Sequence, residues 1–205
     1  MYGSSTAYGR RAAAYDTPKT SGTTAFRRRS RRASKRTAPD TASPVTINPP
    51  ADTQGRFVFS DPDDERRLVA LITLLRKKAG VRRIVLSFDD QPRELRELSD
   101  IFRYGLSTAP AHLDLMRRLA ADLPPDIALW FCASVYCDAH LAEGVGPYSK
   151  PFLAGLGALP AGIGIVWTGP KVLSPTITRS DLEATRARLG GRPLLLYDNF
   201  PVNDD

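Results

Sequence analysis

The fold of this chain is decided by the stretch IVLSFDD, which occupies residues 84–90. The part from Ile84 to Phe88 is a short, mainly apolar run, typical of a strand buried on both faces of a parallel sheet. Two acidic residues, Asp89 and Asp90, follow at once. Because parallel α/β proteins build their sites at the carboxyl ends of strands, the pattern predicts a buried strand that presents two carboxylates at a functional edge.

The same order of elements, a helix followed by a strand, is repeated along the chain. Before the quoted strand, Ser60 or Asp61 can cap a helix with apolar residues at helical spacing, and Gly80 ends it. The elements predicted after it are a helix over 110–122, a strand over 127–136, a helix over 148–158, a strand over 163–167, a helix capped by Ser180 that runs through Leu189, and a strand over 194–197. No hairpin signal separates them, so the sequence predicts a parallel α/β fold.

The net charge of +7 is concentrated at the N-terminus. Residues 1–55 contain ten Lys or Arg and three Asp, whereas residues 56–205 contain 19 basic and 19 acidic residues and are neutral. The first segment is rich in Ser, Thr, Ala, Arg and Pro, so we predict a disordered basic tail over 1–55 and a folded domain over 56–205. The cluster Arg27–Arg36 could bind nucleic acid, but the folded part is neutral, so nucleic acid is not the expected partner.

Several classes of protein are not indicated by the sequence. It contains no apolar run of membrane-spanning length and no apolar core of a signal peptide, and neither observation assigns a compartment. The two cysteines, Cys132 and Cys137, lie five residues apart on one predicted strand, where an odd spacing directs side chains to opposite faces. We therefore expect reduced, packed thiols and neither a disulfide nor a shared metal site.

Four ordered segments at the predicted strand ends resemble the motifs of one enzyme family. They are FDD at 88–90, FCASVYC at 131–137, WTGPKV at 167–172 and DNFPVND at 198–204. Through them the chain resembles glycoside hydrolase family 84, which includes bacterial β-N-acetylglucosaminidases and animal protein O-GlcNAcases. The third segment looks like the family's motif unchanged, and the others are similar to F-D-D, F-C-P-T-E-Y-C and D-N-x-x-x-N-D.

The resemblance implies a partial (β/α)₈ TIM barrel, in which the four segments look like the ends of about strands 4–7. Such barrels usually need about 250 residues, whereas residues 56–205 are about 150. Unless another chain supplied the remainder, open strand edges would allow the chain to self-associate.

The expected activity, by the same resemblance, is hydrolysis of terminal β-linked N-acetylglucosamine from a glycan or glycoprotein. The family uses a substrate-assisted retaining mechanism, an exception to the usual two-carboxylate scheme, in which the sugar's 2-acetamido oxygen attacks the anomeric carbon to form an oxazoline. The resemblance makes Asp89 the partner of the acetamido group and Asp90 the general acid/base. The residues alone support two acids but not this assignment, because adjacent strand residues face opposite ways unless the chain turns.

Six further positions are carried over as substrate-binding residues: Tyr136, Thr168, Val172, Tyr197, Asn199 and Asp204. The first would lie near the reacting centre, and the next two would wall the acetamido pocket. Tyr197 would offer a flat ring, Asn199 would bond the acetamido or oxazoline group, and Asp204 would bond the sugar's 4- and 6-hydroxyls. Plainer alternatives are a half-buried strand aromatic for Tyr136 and a turn residue for Asn199, and Trp167 is expected in the core or the pocket wall. By the same resemblance, we expect the site to use no metal and no cofactor.

The alternative hypothesis is a non-catalytic, truncated remnant of such an enzyme, fused to an unrelated basic leader. A glycine and a lysine that contact the sugar from early strands in relatives have no counterpart here. In the second motif, Ala133 and Val135 replace Pro and Glu. Because orientation of the substrate contributes several kcal/mol to catalysis, loss of such groups would greatly reduce the rate.

Overall fold

A computed structural model describes residues 43–49, 57–89, 91–144 and 146–199. The elements in chain order are β1 (Val45–Ile47), α1 (Pro62–Ala79), β2 (Arg83–Ser87), α2 (Leu98–Tyr104), α3 (Thr108–Asp122), β3 (Ala128–Cys132), α4 (Asp138–Ala142), α5 (Ser149–Gly155), β4 (Gly164–Trp167), α6 (Arg179–Arg188) and β5 (Leu194–Leu196). A 3₁₀ turn, Leu156–Ala158, follows α5.

The five strands form one sheet in the order β1-β2-β3-β4-β5, and every neighbouring pair is parallel. Each connection between neighbouring strands contains at least one helix, as parallel pairing requires. The predicted parallel α/β class is therefore confirmed. All five strands end at the same edge of the sheet, which we call the carboxyl edge.

β1 lies within residues 1–55, which composition assigned to the tail. It pairs with Ile84–Leu86 of β2, and Gln91 Nε2 donates to the Pro49 carbonyl at 2.9 Å. Three strand residues flanked by Pro44 and Pro49 are too few to show an alternating pattern, and their partner lies about 40 residues along the chain. The sheet therefore begins before the expected boundary, and residues 1–42 and 50–56 lie outside the described part.

α1 begins and ends as the sequence predicts. The Asp61 side chain accepts from the Asp63 backbone N–H at 2.8 Å, and Pro62 occupies the first helical position. Gly80 ends the helix at φ +68°, and its N–H bonds the Leu75 carbonyl.

α6 is capped by a different residue from the one predicted. Thr178 Oγ1 accepts from the Asp181 N–H at 3.1 Å, and Asp181 accepts from the Thr178 N–H at 2.8 Å, which forms a capping box. Ser180 was the predicted cap, but it lies in the first turn. Its partner three residues on would be Glu183, which instead bonds Arg179 at 2.7 Å.

The two faces of the sheet are unequal. The side that faces the helices contributes to the main hydrophobic core the residues Ile84, Leu86, Phe88, Leu129, Phe131, Ala133, Ile165 and Trp167. The other side, which we call the second face, holds a smaller cluster of Val85, Cys132 and Val166, with Trp130, Tyr136 and Leu195 packed against it. Trp167 is fully buried in the main core, which confirms its expected packing role.

The cysteines are both free and buried, as expected. The reason given for this was wrong, because β3 ends at Cys132 and Cys137 lies beyond it, at the N-cap of α4. Burial raises the pKa of the Cys137 thiol, which keeps it protonated near neutral pH.

In the described part of the chain, the helices lack the length and apolarity that a membrane crossing needs.

Close packing on the second face makes Gly164 a sensitive position. Gly164 pairs with Trp130 across β3 and β4, and a Cβ at Gly164 would lie 2.2 Å from two carbons of the Trp130 ring. We expect Gly164→Ala to lower the free energy of unfolding by about 1–3 kcal/mol, the usual cost of overpacking. Urea denaturation measures this loss. Gly162→Ala is the matched control, because a Cβ there would meet no described atom within 4 Å; an equal loss in both variants would contradict the explanation.

Candidate active site

Asp89 lies two residues after the end of β2 and is half-buried. Ser87 Oγ donates a hydrogen bond to Asp89 Oδ1 at 2.6 Å. Ser87 lies two residues after Val85 and therefore shares the second face, so this bond holds the carboxylate toward that face. The Gln91 N–H bonds the Phe88 carbonyl at 3.4 Å, which turns the chain immediately after the strand. Asp90 lies outside the described residues.

The helix-facing side of the same strand end is packed by aromatic rings. Phe88 is fully buried, and its ring stacks on that of His112 with centroids 4.1 Å apart. His112 Nδ1 lies 3.0 Å from the Tyr148 hydroxyl, and Ser134 Oγ donates to the Phe88 carbonyl at 2.7 Å. Polar contacts therefore reach the residue before Asp89 from inside the core.

Burial of His112 makes stability depend on pH. Desolvation lowers the pKa of His112 from 6.5 to about 3, because the apolar surroundings disfavour the charged ring. Between these values the unfolded chain binds more protons than the folded chain, so stability from this group is complete above pH 6.5 and falls as the pH decreases. We expect protonation of His112 in the unfolded chain to reduce the free energy of unfolding by about 2 kcal/mol between pH 7 and pH 5. Urea denaturation at both values should show a smaller loss for His112→Gln; an equal loss would contradict the assignment.

Tyr136 and Thr168 are joined by the backbone at the ends of β3 and β4. The Thr168 N–H donates to the Tyr136 carbonyl at 2.8 Å, and the buried Thr168 hydroxyl donates to the Lys171 carbonyl at 2.9 Å. The Tyr136 ring is half-buried and packs on the second face, the side toward which Ser87 holds Asp89. Three of the predicted site residues thus lie at one edge of the sheet.

The segment WTGPKV begins at Trp167, the last residue of β4, and continues as a loop that is anchored to α4. The Asp138 and Ala139 N–H groups, at the start of that helix, donate to the Gly169 and Pro170 carbonyls at 3.0 Å each. Gly169 has φ +100°, and a Cβ there would lie 3.0 Å from the side chain of Ile177. The positive φ therefore favours glycine at this position, and a Cβ would be tightly packed against Ile177.

Val172 and Asn199 are also brought together. Asn199 Nδ2 donates to the Val172 carbonyl at 3.0 Å, which ties the chain after β5 to the loop after β4. Tyr197 extends the pairing of these strands through its N–H to the Trp167 carbonyl at 2.9 Å, and its side chain is 58% exposed. Asp204, the remaining predicted binding residue, lies outside the described residues.

His140 is a neighbour of the site that the sequence analysis missed. Its ring meets the Tyr136 ring edge-on, with centroids 4.7 Å apart. Burial, followed by the charge of Arg93, lowers the pKa of His140, so the ring is neutral at neutral pH. The chain has only two histidines, which was the available signal, but the four-residue step from Tyr136 became informative only once α4 was seen.

An open groove of about 610 Å³ adjoins Asp89. Its lining consists of Asp89, Gln91, Pro92, Arg93, Glu94, Leu95, Arg96, Gly146 and Pro147. Within the described ranges, no group of three or more His, Cys, Asp or Glu side chains could hold a metal ion. The described side chains at the carboxyl edge include the Asp89 carboxylate, the Thr168 hydroxyl and the Asn199 amide.

Comparison with known families identifies the domain that carries this edge. The sequence profile of the family described as beta-N-acetylglucosaminidase matches residues 43–205. The chain belongs to the β-N-acetylglucosaminidase family. The match begins two residues before β1, so it includes the strand that composition placed in the tail.

Relatives of this β-N-acetylglucosaminidase domain include much longer proteins. Protein O-GlcNAcase of Rattus norvegicus and that of Mus musculus are each 28% identical over 150 residues, which is 72% of this chain and 16% of the relative. The chain therefore spans about one sixth of the length of these curated relatives.

Solved structures resemble the β-N-acetylglucosaminidase domain in fold. A mutant of Thermobaculum terrenum O-GlcNAc hydrolase superposes with a TM-score of 0.64 at 29% identity, covering 78% of this chain and 32% of that one. The structure of CpGH84B gives a TM-score of 0.58 at 20% identity, covering 78% of this chain and 26% of that one, and supports the fold alone. The resemblance found in the sequence is confirmed, and by family this domain is of the glycoside hydrolase class.

Proposed function

We propose that this chain forms part of a β-N-acetylglucosaminidase site that hydrolyses terminal β-linked N-acetylglucosamine on a glycoprotein or glycan. The observation that supports this most directly is the placement of the Asp89 carboxylate. It lies at the carboxyl edge of a parallel sheet, is held by Ser87 at 2.6 Å, and is directed to the face on which Tyr136 packs. A parallel α/β fold places ligands at this edge.

The proposed mechanism uses the substrate as its own nucleophile. Ser87 occupies one lone pair of Asp89 Oδ1, so the carboxylate retains acceptor positions for the acetamido N–H of the sugar. Held there, the acetamido carbonyl oxygen attacks the anomeric carbon as the bond to the leaving oxygen breaks. Asp90 donates a proton to that oxygen and then takes one from the water that opens the oxazoline. Retention of configuration follows from the two displacements at one carbon.

The remaining predicted residues form the proposed pocket. The Thr168 hydroxyl bonds the Lys171 carbonyl and so fixes the loop next to Val172, which is proposed to contact the acetamido methyl. Asn199 uses one N–H on Val172, and its second N–H and side-chain oxygen are proposed to contact the sugar. Tyr136 and Tyr197 are proposed to contact the sugar as well, and Asp204 its 4- and 6-hydroxyls.

The architecture that we propose is a segment of a (β/α)₈ barrel. β2 to β5 would correspond to about the fourth to seventh strands, with β1 one strand earlier. The uninterrupted parallel order of the five strands supports this, because a doubly wound sheet reverses its order at a switch point. The second face, with Val85 and Val166, would then face the barrel axis.

The test compares two aryl glycosides with the full chain. An aryl N-acetyl-β-glucosaminide should be hydrolysed and the matching aryl β-glucoside should not, because the latter lacks the acetamido nucleophile. Equal hydrolysis of both would overturn the substrate-assisted mechanism. Absence of turnover, together with no binding of an N-acetylglucosamine thiazoline by calorimetry, would favour the non-catalytic remnant instead.

A further inference from the structure

A buried line of polar groups ends on the peptide that precedes Asp89. His112 Nδ1 lies 3.0 Å from the Tyr148 hydroxyl, and both residues are fully buried. The Ser134 backbone and side chain lie close enough to the Tyr148 hydroxyl to lower the pKa of Tyr148, although burial is the larger effect and raises it. Ser134 Oγ, also fully buried, donates to the Phe88 carbonyl at 2.7 Å. The line therefore runs from α3 through Tyr148, the residue before α5, to the carboxyl ends of β3 and β2.

Two contacts fix the ends of this line. The Ser134 hydroxyl has one proton, which it donates to the Phe88 carbonyl. At the other end, His112 Nδ1 and the Tyr148 hydroxyl share one hydrogen bond, whose donor is set by the tautomer of the His112 ring.

Packing alone does not explain this arrangement. His112 lies between the rings of Phe59 and Phe88, with centroids 5.1 and 4.1 Å away, and its Nε2 has no hydrogen-bond partner among the described residues. A buried polar atom without a partner costs free energy, and an apolar ring would fill the same space without that cost. The polar line is therefore expected to serve a purpose that packing does not.

We propose that His112, Tyr148 and Ser134 are positioning residues that fix the Phe88 carbonyl and, through the shared peptide, the backbone of Asp89. Ser87 fixes the Asp89 carboxylate from the second face, so the acid is held from both sides of the sheet. The proposal rests on the proposed function for its catalytic consequence. The polar line itself can be tested separately.

The first experiment tests the hydrogen bonds of the line by NMR and does not depend on enzymatic activity. In the parent chain, ¹⁵N NMR of His112 should show a neutral ring at neutral pH, and Tyr148→Phe should shift the His112 Nδ1 resonance. Ser134→Ala and Tyr148→Phe should each shift the carbonyl ¹³C resonance of Phe88 and the amide resonance of Asp89. Tyr104→Phe is the control, since that hydroxyl bonds Asp114 at 2.9 Å and lies outside the line.

A second experiment measures the catalytic consequence. With an aryl N-acetyl-β-glucosaminide, Tyr148→Phe and Ser134→Ala should lower kcat about tenfold with little change in KM, whereas Tyr104→Phe should leave both unchanged. The double variant should lose less than the product of the two single losses, because both act through one carbonyl. If Tyr148→Phe does not fold, Ser134→Ala decides alone.

The outcomes separate the two proposals. If the Phe88 and Asp89 resonances move no more in Ser134→Ala and Tyr148→Phe than in Tyr104→Phe, the positioning role is overturned. If the parent chain is active and these two variants keep its kcat, the positioning role is overturned as well. A parent chain with neither turnover nor thiazoline binding would refute the proposed function, while the resonance shifts would still decide whether the line holds Asp89.

Discussion

Asp90→Asn is expected to lower kcat for an aryl N-acetyl-β-glucosaminide with a poor leaving group by about 100- to 10,000-fold. In the proposed mechanism, Asp90 supplies the proton that the departing oxygen needs, and an amide cannot supply it. The loss should shrink strongly with a dinitrophenyl leaving group, which departs without a proton. Steady-state kinetics with both substrates measure the difference.

Asp89→Asn should behave differently with the same two substrates. Its proposed role is to hold the acetamido group, which both substrates need, so the loss in kcat should be similar for good and poor leaving groups. Asp122→Asn, an exposed position on α3, is the control and should match the parent. If Asp89→Asn instead showed the stronger dependence on leaving group, the two roles would have to be exchanged.

Arg192→Met is expected to lower the free energy of unfolding by about 3–5 kcal/mol, the largest effect on stability that the structure predicts. The guanidinium is 8% exposed and donates to three backbone carbonyls, at 2.6 Å to Leu156, 2.7 Å to Leu159 and 2.7 Å to Pro160. These groups close the chain between α5 and β4. Methionine would fill much of the volume and leave the carbonyls without donors, and urea denaturation measures the cost.

Arg186→Met is the matched control for this effect. Arg186 is exposed and donates to one carbonyl, that of Gly191, at 3.1 Å. Its replacement should change the free energy of unfolding by less than about 0.5 kcal/mol. Arg192→Lys should give an intermediate loss, because a single ammonium nitrogen cannot reach carbonyls arranged around a planar fork. Similar losses for Arg186→Met and Arg192→Met would contradict the role assigned to the buried guanidinium.

Much of the fold was predictable because its signals are local. β2 and β4 are short apolar runs. The ends of α1 are marked by the capping residues Asp61, Pro62 and Gly80. β1 was not predictable, since three residues between prolines become a strand only through pairing with β2. The wrong capping residue predicted for α6 was avoidable, because Thr178 followed by Asp181 three residues later is a recognisable capping-box sequence.

The candidate site was predictable only in part, and for a similar reason. Placement of Asp89 at a strand end follows from the sequence around it, whereas its bond to Ser87 depends on the turn that the chain takes after Phe88. The contact between Tyr136 and His140 required the start of α4, a five-residue helix with little periodicity. Contacts between side chains of separate elements depend on the direction in which each side chain points. A single sequence carries no signal for such contacts.

The alternation along β2 has a consequence for how this family can vary. The Ser87 side chain lies on the second face and the Phe88 side chain lies in the main core, although the two residues are adjacent in the chain. Deletion of one codon between Arg83 and Ser87 would exchange the two sets of side chains, burying polar groups and turning Phe88 outward. Mutations tolerated over evolution in this strand should therefore be substitutions, with changes of length confined to the connections on either side.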